Sequence, residues 1–231
     1  EKKQAYEVAF GARFLHAQRL MRRDRTHEAL NILEPLIQEQ PANELLITTL
    51  SVAYAMVGQT QSGFMVLLRA LQKYPEYDTV HLSVAGFYES EGNQDRALEH
   101  LNRAIELNPV APEPYIRKGL LLQQQRKHEG ALAAFESALH HDERDPRLLF
   151  HVGDVQAALK RWPEAIERFE QSVRIDPSFT PGHLNLALTL GQANRFAEAR
   201  VALKTVEELG THESDVQAVL RQLTRLEEEA R

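Results

Sequence analysis

DTVHLSVAGFYESEGNQDRALEHLNRAIELNPVA, residues 78–111, decides the fold, because its pattern of small, large and turn-forming residues recurs 34 positions away on either side. Counted from Asp78 as position 1, Ala85 and Ala97 are the small residues at 8 and 20, Leu101 is the large one at 24, and Pro109 stands at 32. Pro41, Pro75, Pro109 and Pro177 are spaced by 34, 34 and twice 34. The register extends without a gap into blocks 10–43, 44–77, 78–111, 112–145, 146–179 and 180–213. Position 8 then holds Ala17, Ser51, Ala85, Gly119, Gly153 and Ala187, and position 20 holds Ala29, Gly63, Ala97, Ala131, Ala165 and Ala199. Position 24 is always large and apolar: Leu33, Leu67, Leu101, Phe135, Phe169 and Leu203. Two helices approach closely only where neither carries bulk at the crossing, and a large side chain fills the groove beside it. A period of this length with such a pattern marks a repeat architecture.

Local signals place a helical hairpin in each block. Asn43, Asp145 and Thr180 are expected N-caps, with Pro146 and Pro181 in the first turn that follows. Gly58 and Gly92 stand at position 15, where a helix ends on a left-handed residue, and Pro163 opens a second helix. Residues 1–9 carry Tyr6 and Ala9 ahead of Phe10 at helical spacing and are expected to lengthen the first helix. In 214–231, Val216, Val219, Leu220, Leu223 and Leu226 make one apolar stripe behind Ser214 as N-cap, so this segment reads as a capping helix over the last hairpin. No stretch alternates with period two, so strands are not expected.

This pattern resembles the tetratricopeptide-repeat (TPR) signature: small at 8 and 20, large at 24, usually small at 27 and proline at 32. The resemblance covers 10–213, with departures at Leu36 (position 27), Glu143 and Thr211 (position 32). It implies an all-α fold, an α-solenoid of six helix-turn-helix repeats wound as a right-handed superhelix and closed by the capping helix, forming a single domain over 1–231. It also implies a concave groove lined by the first helix of each repeat, where a protein or peptide partner lies. In the first three repeats the groove positions include Phe14, Gln18, Leu45, Thr48, Thr49, Val52, Met56, Leu82, Ser83 and Glu89. In the last three they include Glu113, Arg117, Gln123, Gln124, Arg147, His151, Asp154 and Asn185. The groove is therefore expected to change from apolar to charged, fitting a partner with an apolar stretch followed by a charged or carboxylate-bearing one. Leu82 and Ile116 have packing between repeats as their alternative role. The TPR subtype that grips the carboxylate terminus of heat-shock chaperones needs lysine at position 5 and asparagine at position 9. Neither residue occurs at those positions here.

Composition narrows the function class. Apolar residues make up 43%, enough for a core, and the net charge of -6 gives no bias toward nucleic acid. The apolar runs are too short to span a bilayer. There are no cysteines, which removes disulfides, thiolate metal sites and cysteine nucleophiles together. The compartment is left open by this, with cytoplasmic placement the expectation and periplasmic the alternative. The chain opens at Glu1 with no methionine and no signal segment, and is expected to be a piece of a longer protein.

No catalytic constellation emerges. The glycines form no phosphate loop, and no serine sits in a nucleophile elbow. His140, His141, Asp142 and Glu143 are adjacent, and neighbours on a helix point apart, so a solvated helix end is expected rather than a metal site. His151 and Asp154 share a face and read as a polar spot in the groove. Arg19, Arg22, Arg23 and Arg25 lack interleaved aromatics and read as a solvated edge, and Glu227–Glu229 as a frayed end. The resulting expectation is a non-enzymatic scaffold or adaptor without cofactor or metal. Two alternatives stand beside it: the substrate-recruiting or regulatory arm of a larger multidomain enzyme, and a self-assembling structural unit, a homo-oligomer.

Overall fold

The computed structural model describes residues 2–210 and 213–230, and among them it contains thirteen α-helices and no strand. In chain order, α1 (Lys2–Arg22) pairs with α2 (Thr26–Glu39), α3 (Glu44–Met56) with α4 (Thr60–Lys73), and α5 (Asp78–Ser90) with α6 (Gln94–Leu107). Next, α7 (Pro112–Gln124) pairs with α8 (His128–Leu139), α9 (Pro146–Ala158) with α10 (Trp162–Ile175), and α11 (Thr180–Gln192) with α12 (Phe196–Glu208). A final helix, α13 (Glu213–Glu229), packs on α11 and α12. Thr211, where proline is usual, lies outside the described residues. The chain divides into two compact units, Glu1–Pro109 and Val110–Arg231.

Within each unit the small residues sit where the helices of a hairpin touch. A Cβ built on Gly119 would lie 2.6 Å from the Phe135 ring, and one on Gly153 would lie 2.9 Å from Phe169. In the first unit a Cβ on Gly63 would lie 2.6 Å from the backbone oxygen of Ser51. Positions 8, 20 and 24 are thus in mutual contact, and Phe135, Phe169, Leu33, Leu67, Leu101 and Leu203 are all buried. In the first unit one apolar cluster joins α1, α2 and α3 through Leu33, Leu36, Leu46 and Leu50, and a second joins α3, α4 and α5 through Ile47, Leu67 and Val84. In the second unit Phe135, Leu148 and Val152 form one cluster, and Phe169, Leu190, Leu203 and Leu223 another.

Two of the four expected N-caps are found. Asn43 accepts from the Leu46 N–H at 3.0 Å, and Asp145 accepts from Arg147 and Leu148. Two expectations need correction. Thr180 is already inside α11, with Phe179 at the N-cap, and its hydroxyl donates to the Ser178 carbonyl. Ser214 likewise lies inside α13. Asn93 caps α6 by accepting from Arg96, a cap that a sequence search for Asn ahead of an apolar periodic run could have found. The acidic end is not frayed: Glu227 pairs with Arg200 of α12 at 2.5 Å, and Glu229 with Arg225. In α5 and α6, His81 and His100 stand Nδ1 to Nδ1 at 2.9 Å, while His81 Nε2 lies 3.1 Å from the Pro75 carbonyl. A carbonyl only accepts, so Nε2 of His81 carries the proton and Nδ1 of His100 donates to its neighbour.

The turn inside each hairpin is uniform in a way residue types do not reveal. Asp24, Gly58, Gly92, Arg126, Lys160 and Asn194 all have positive φ, between 58° and 78°. Each is followed by an N–H that bonds back into the last turn, as Gln59 does to Tyr54 and Lys127 to Leu122. Asp and Asn tolerate this conformation, whereas Arg and Lys are strained in it by about 1–2 kcal/mol. Part of that strain is offset by the extra freedom glycine gives the unfolded chain, about 0.4–1 kcal/mol. Arg126→Gly and Lys160→Gly are therefore expected to raise stability by about 0.5–1 kcal/mol each, read as a higher urea midpoint at unchanged slope. An unmoved or lower midpoint would contradict this account of the turn.

Candidate functional site

The first unit presents one face built from α1 and α3. Gln18, Thr48, Thr49, Val52 and Met56 line a recess of about 370 Å³, joined by Met21 and Arg22 from the last turn of α1. Those two were absent from the expected groove set, although Arg22 stands 34 residues before Met56 and Met21 twice that before Glu89. Leu45, Val52 and Met56 are 60%, 51% and 50% exposed, high for side chains that water solvates poorly. The Thr48 hydroxyl donates to the Glu44 and Leu45 carbonyls, so it shows its methyl group to the recess edge rather than an open donor. Phe14 is half-buried, stacked on Phe10 with ring centroids 6.4 Å apart, and so belongs partly to the core. On α5, Leu82, Ser83 and Glu89 are half-buried, with the Ser83 hydroxyl turned to the Thr79 carbonyl.

The second unit presents a polar counterpart on α7, α9 and α11. Gln123 donates to one oxygen of Asp154 at 2.5 Å, and Asn185 donates to the other at 3.1 Å. Three groove candidates from three successive hairpins are therefore tied into one ladder, with both amides oriented by the carboxylate between them. Burial pushes the Asp154 carboxyl above the ordinary carboxylate range, and the Gln123 hydrogen bond pulls the other way. His151 lies against the Phe135 ring, centroids 5.1 Å apart and nearly parallel, and burial lowers its basicity below the usual imidazole value. Glu113, Gln124 and Arg147 are exposed on the same helices, while Arg117 is half-buried and engaged. Ile116 packs on the neighbouring apolar cluster, which is its alternative role.

Of the early basic cluster, Arg25 is committed to a two-pronged pair with Glu28 at 2.6 Å, and Arg22 edges the recess. Among the described residues no three His, Asp or Glu side chains gather around one point. No helix of the described residues is long and apolar enough to cross a membrane.

Models of the tetratricopeptide repeat match residues 80–110, 116–178 and 156–223, and the crossings at Gly119 and Gly153 are the packing that pattern encodes. The chain belongs to the tetratricopeptide-repeat family. Among TPR relatives, the peroxisomal targeting signal receptor of Saccharomyces cerevisiae is 28% identical over 192 residues, covering 80% of this chain and 31% of that protein. The chain thus spans about a third of the length of such relatives. Among solved structures, pilF of Pseudomonas aeruginosa superimposes with a TM-score of 0.77 at 16% identity, over 94% of this chain and 98% of that one. YrrB, described as a TPR protein with an unusual peptide-binding site, gives 0.71 at 15% identity over 82% and 97%. At these identities the structural matches establish the TPR solenoid fold alone.

Proposed function

We propose that the chain is a protein-interaction module whose six 34-residue repeats hold a partner polypeptide against the first helices of the hairpins. The observation that carries this reading is the recess of about 370 Å³ on α1 and α3, edged by exposed Val52 and Met56 with Leu45 beside it. Exposed large apolar side chains grouped around a concavity, with polar residues at the rim, mark a surface meant to be covered. The face on α7, α9 and α11 supplies oriented amides and a buried carboxylate, which suit hydrogen-bonding groups of an extended segment. A relative named as a receptor for a peroxisomal targeting signal and a structure described by its peptide-binding site support a peptide as the class of ligand. No step of catalysis is assigned to any residue.

Peptides selected on the full chain from a random display library test this. Selected sequences are expected to contain an apolar segment. Their affinity is expected to fall on the order of ten-fold or more in Leu45→Lys/Val52→Lys/Met56→Lys, since truncating or charging central anchors costs about 2 kcal/mol or more. All three side chains are at least half exposed, so circular dichroism should show an unchanged fold. Selected peptides that bind this variant as well as the wild type would place recognition elsewhere.

A further inference from the structure

Helix α3 has a second stripe. Where Thr48, Thr49, Val52 and Met56 turn to the recess on α1, Ile47, Leu50 and Tyr54 turn the other way and floor a cavity of about 410 Å³ between α2 and α4. An adjoining recess of about 380 Å³ shares Tyr54, Val66 and Arg69 with it and continues past Met65 to Gln61. Together they make a trough that follows α4 from Gln61 to Lys73, about 18 Å of helix at 1.5 Å per residue. That length matches about three turns of a second helix laid alongside.

The chemistry of the trough is asymmetric. Its floor and lower walls are apolar: Ile37, Ile47, Leu50 and Val66, with Met65 42% exposed at the open end. On the α2 wall the one carboxylate, Glu34, is occupied by the Tyr54 hydroxyl at 2.9 Å. On the α4 wall Arg69 and Lys73 stand one turn apart, both exposed. Lys73 lies 5.3 Å over the Tyr74 ring, and neither cation has a carboxylate partner among the described residues. Elsewhere in the chain exposed arginines are repeatedly paired within their own helix or hairpin, as Arg96 is with Glu99 and Arg13 with Glu39. The two cations flanking the trough are left for another molecule.

We propose that this trough is a second docking surface, and that its occupant is an acidic amphipathic helix of a partner protein. Two carboxylates at i and i+4 of such a helix match Arg69 and Lys73, themselves at i and i+4, and its apolar stripe covers Val66, Ile37 and the floor. Opposite charge at the rim fixes the register and orientation of the guest, while the apolar floor holds it. Because α3 serves the two sites with opposite stripes, a guest in the trough and a peptide on the α1–α3 face can be bound at once.

The test uses the full chain, labelled with nitrogen-15, and two synthetic stapled helices of identical apolar stripe. One carries Glu at i and i+4 and the other carries Lys there. The Glu helix is expected to shift amides of α2 and α4, to lose ten-fold or more in affinity against Arg69→Glu/Lys73→Glu, and to be unaffected by Val52→Lys/Met56→Lys. The Lys helix is expected to gain what the Glu helix loses on the charge-reversed protein. The proposal is overturned by equal binding of both helices, by no binding of either, or by shifts confined to α1 and its side of α3. It is also overturned if light scattering finds a dimer that Arg69→Glu/Lys73→Glu dissolves, which would give the trough to a second copy of this chain.

Discussion

Ala131→Trp is expected to lower the melting temperature by about 6–12 °C, the shift corresponding to about 3 kcal/mol of overpacking in a chain of this size. Ala131 is fully buried on α8, in the same hairpin contact as Gly119 of α7. There is no slack in that contact. A single Cβ on Gly119 would already stand 2.6 Å from the Phe135 ring, and Phe135 itself is fully buried. An indole can enter only by driving Phe135 off its rotamer or by parting α7 from α8, and either exposes the cluster of Leu132, Leu148 and Val152. Gly119→Ala is a milder probe of the same crossing, with a smaller loss because only one methyl group has to be accommodated. Thermal melts followed at 222 nm decide the matter. An Ala131→Trp protein that melts with the wild type would mean that positions 8, 20 and 24 do not meet as described.

The parts of the molecule legible in the sequence are those that every repeat must satisfy in the same way. Close approach of two helices demands small residues at fixed offsets, so Ala29, Gly63, Ala131 and Ala165 announce themselves by period alone. The turn at position 15 is half legible: Gly58 and Gly92 signal a left-handed residue, but Arg126 and Lys160 adopt the same conformation with no signal in their chemistry. The rest of the hairpin imposes it on them. The candidate faces are less legible because they depend on how one hairpin is displaced against the next. Gln123 and Asp154 are 31 apart in sequence, as are Asp154 and Asn185, whereas the period is 34. The ladder therefore steps back three residues per repeat, along the diagonal on which adjacent first helices touch. The residues at the groove positions implied by the TPR resemblance led to the expectation of a polar face there, and only the displacement could say which side chains join. The trough beside α4 is further removed, since its shape is a space between α2 and α4 and no residue type encodes a space.

Ending the chain at Gly210 is expected to unfold the last hairpin rather than merely weaken it. Val216, Val219 and Leu223 of α13 are buried at 1%, 7% and 2% exposure, and Leu223 fills the place that a side chain on Gly191 would take. Removing three such side chains, and exposing the apolar surface they cover on Leu190 and Leu203, forfeits on the order of 5–10 kcal/mol at about 1.5–3 kcal/mol per buried side chain. That is comparable to the whole stability of an ordinary domain, about 5–15 kcal/mol. In a stack where each hairpin contacts mainly its neighbours, such a loss is felt first at the broken end. Amide exchange of the shortened chain should therefore show α11 and α12 unprotected while α1 to α6 keep the protection they have in the full chain. Leu223→Asp, which buries a carboxylate at the same contact, should reproduce the pattern in the intact chain. Protection surviving in α11 and α12 of both proteins would show that α13 lies over the last hairpin without holding it. Loss of protection throughout α1 to α6 as well would show that the two compact units fold as one cooperative whole, in which the acidic helix at the end supports even the recess between α1 and α3.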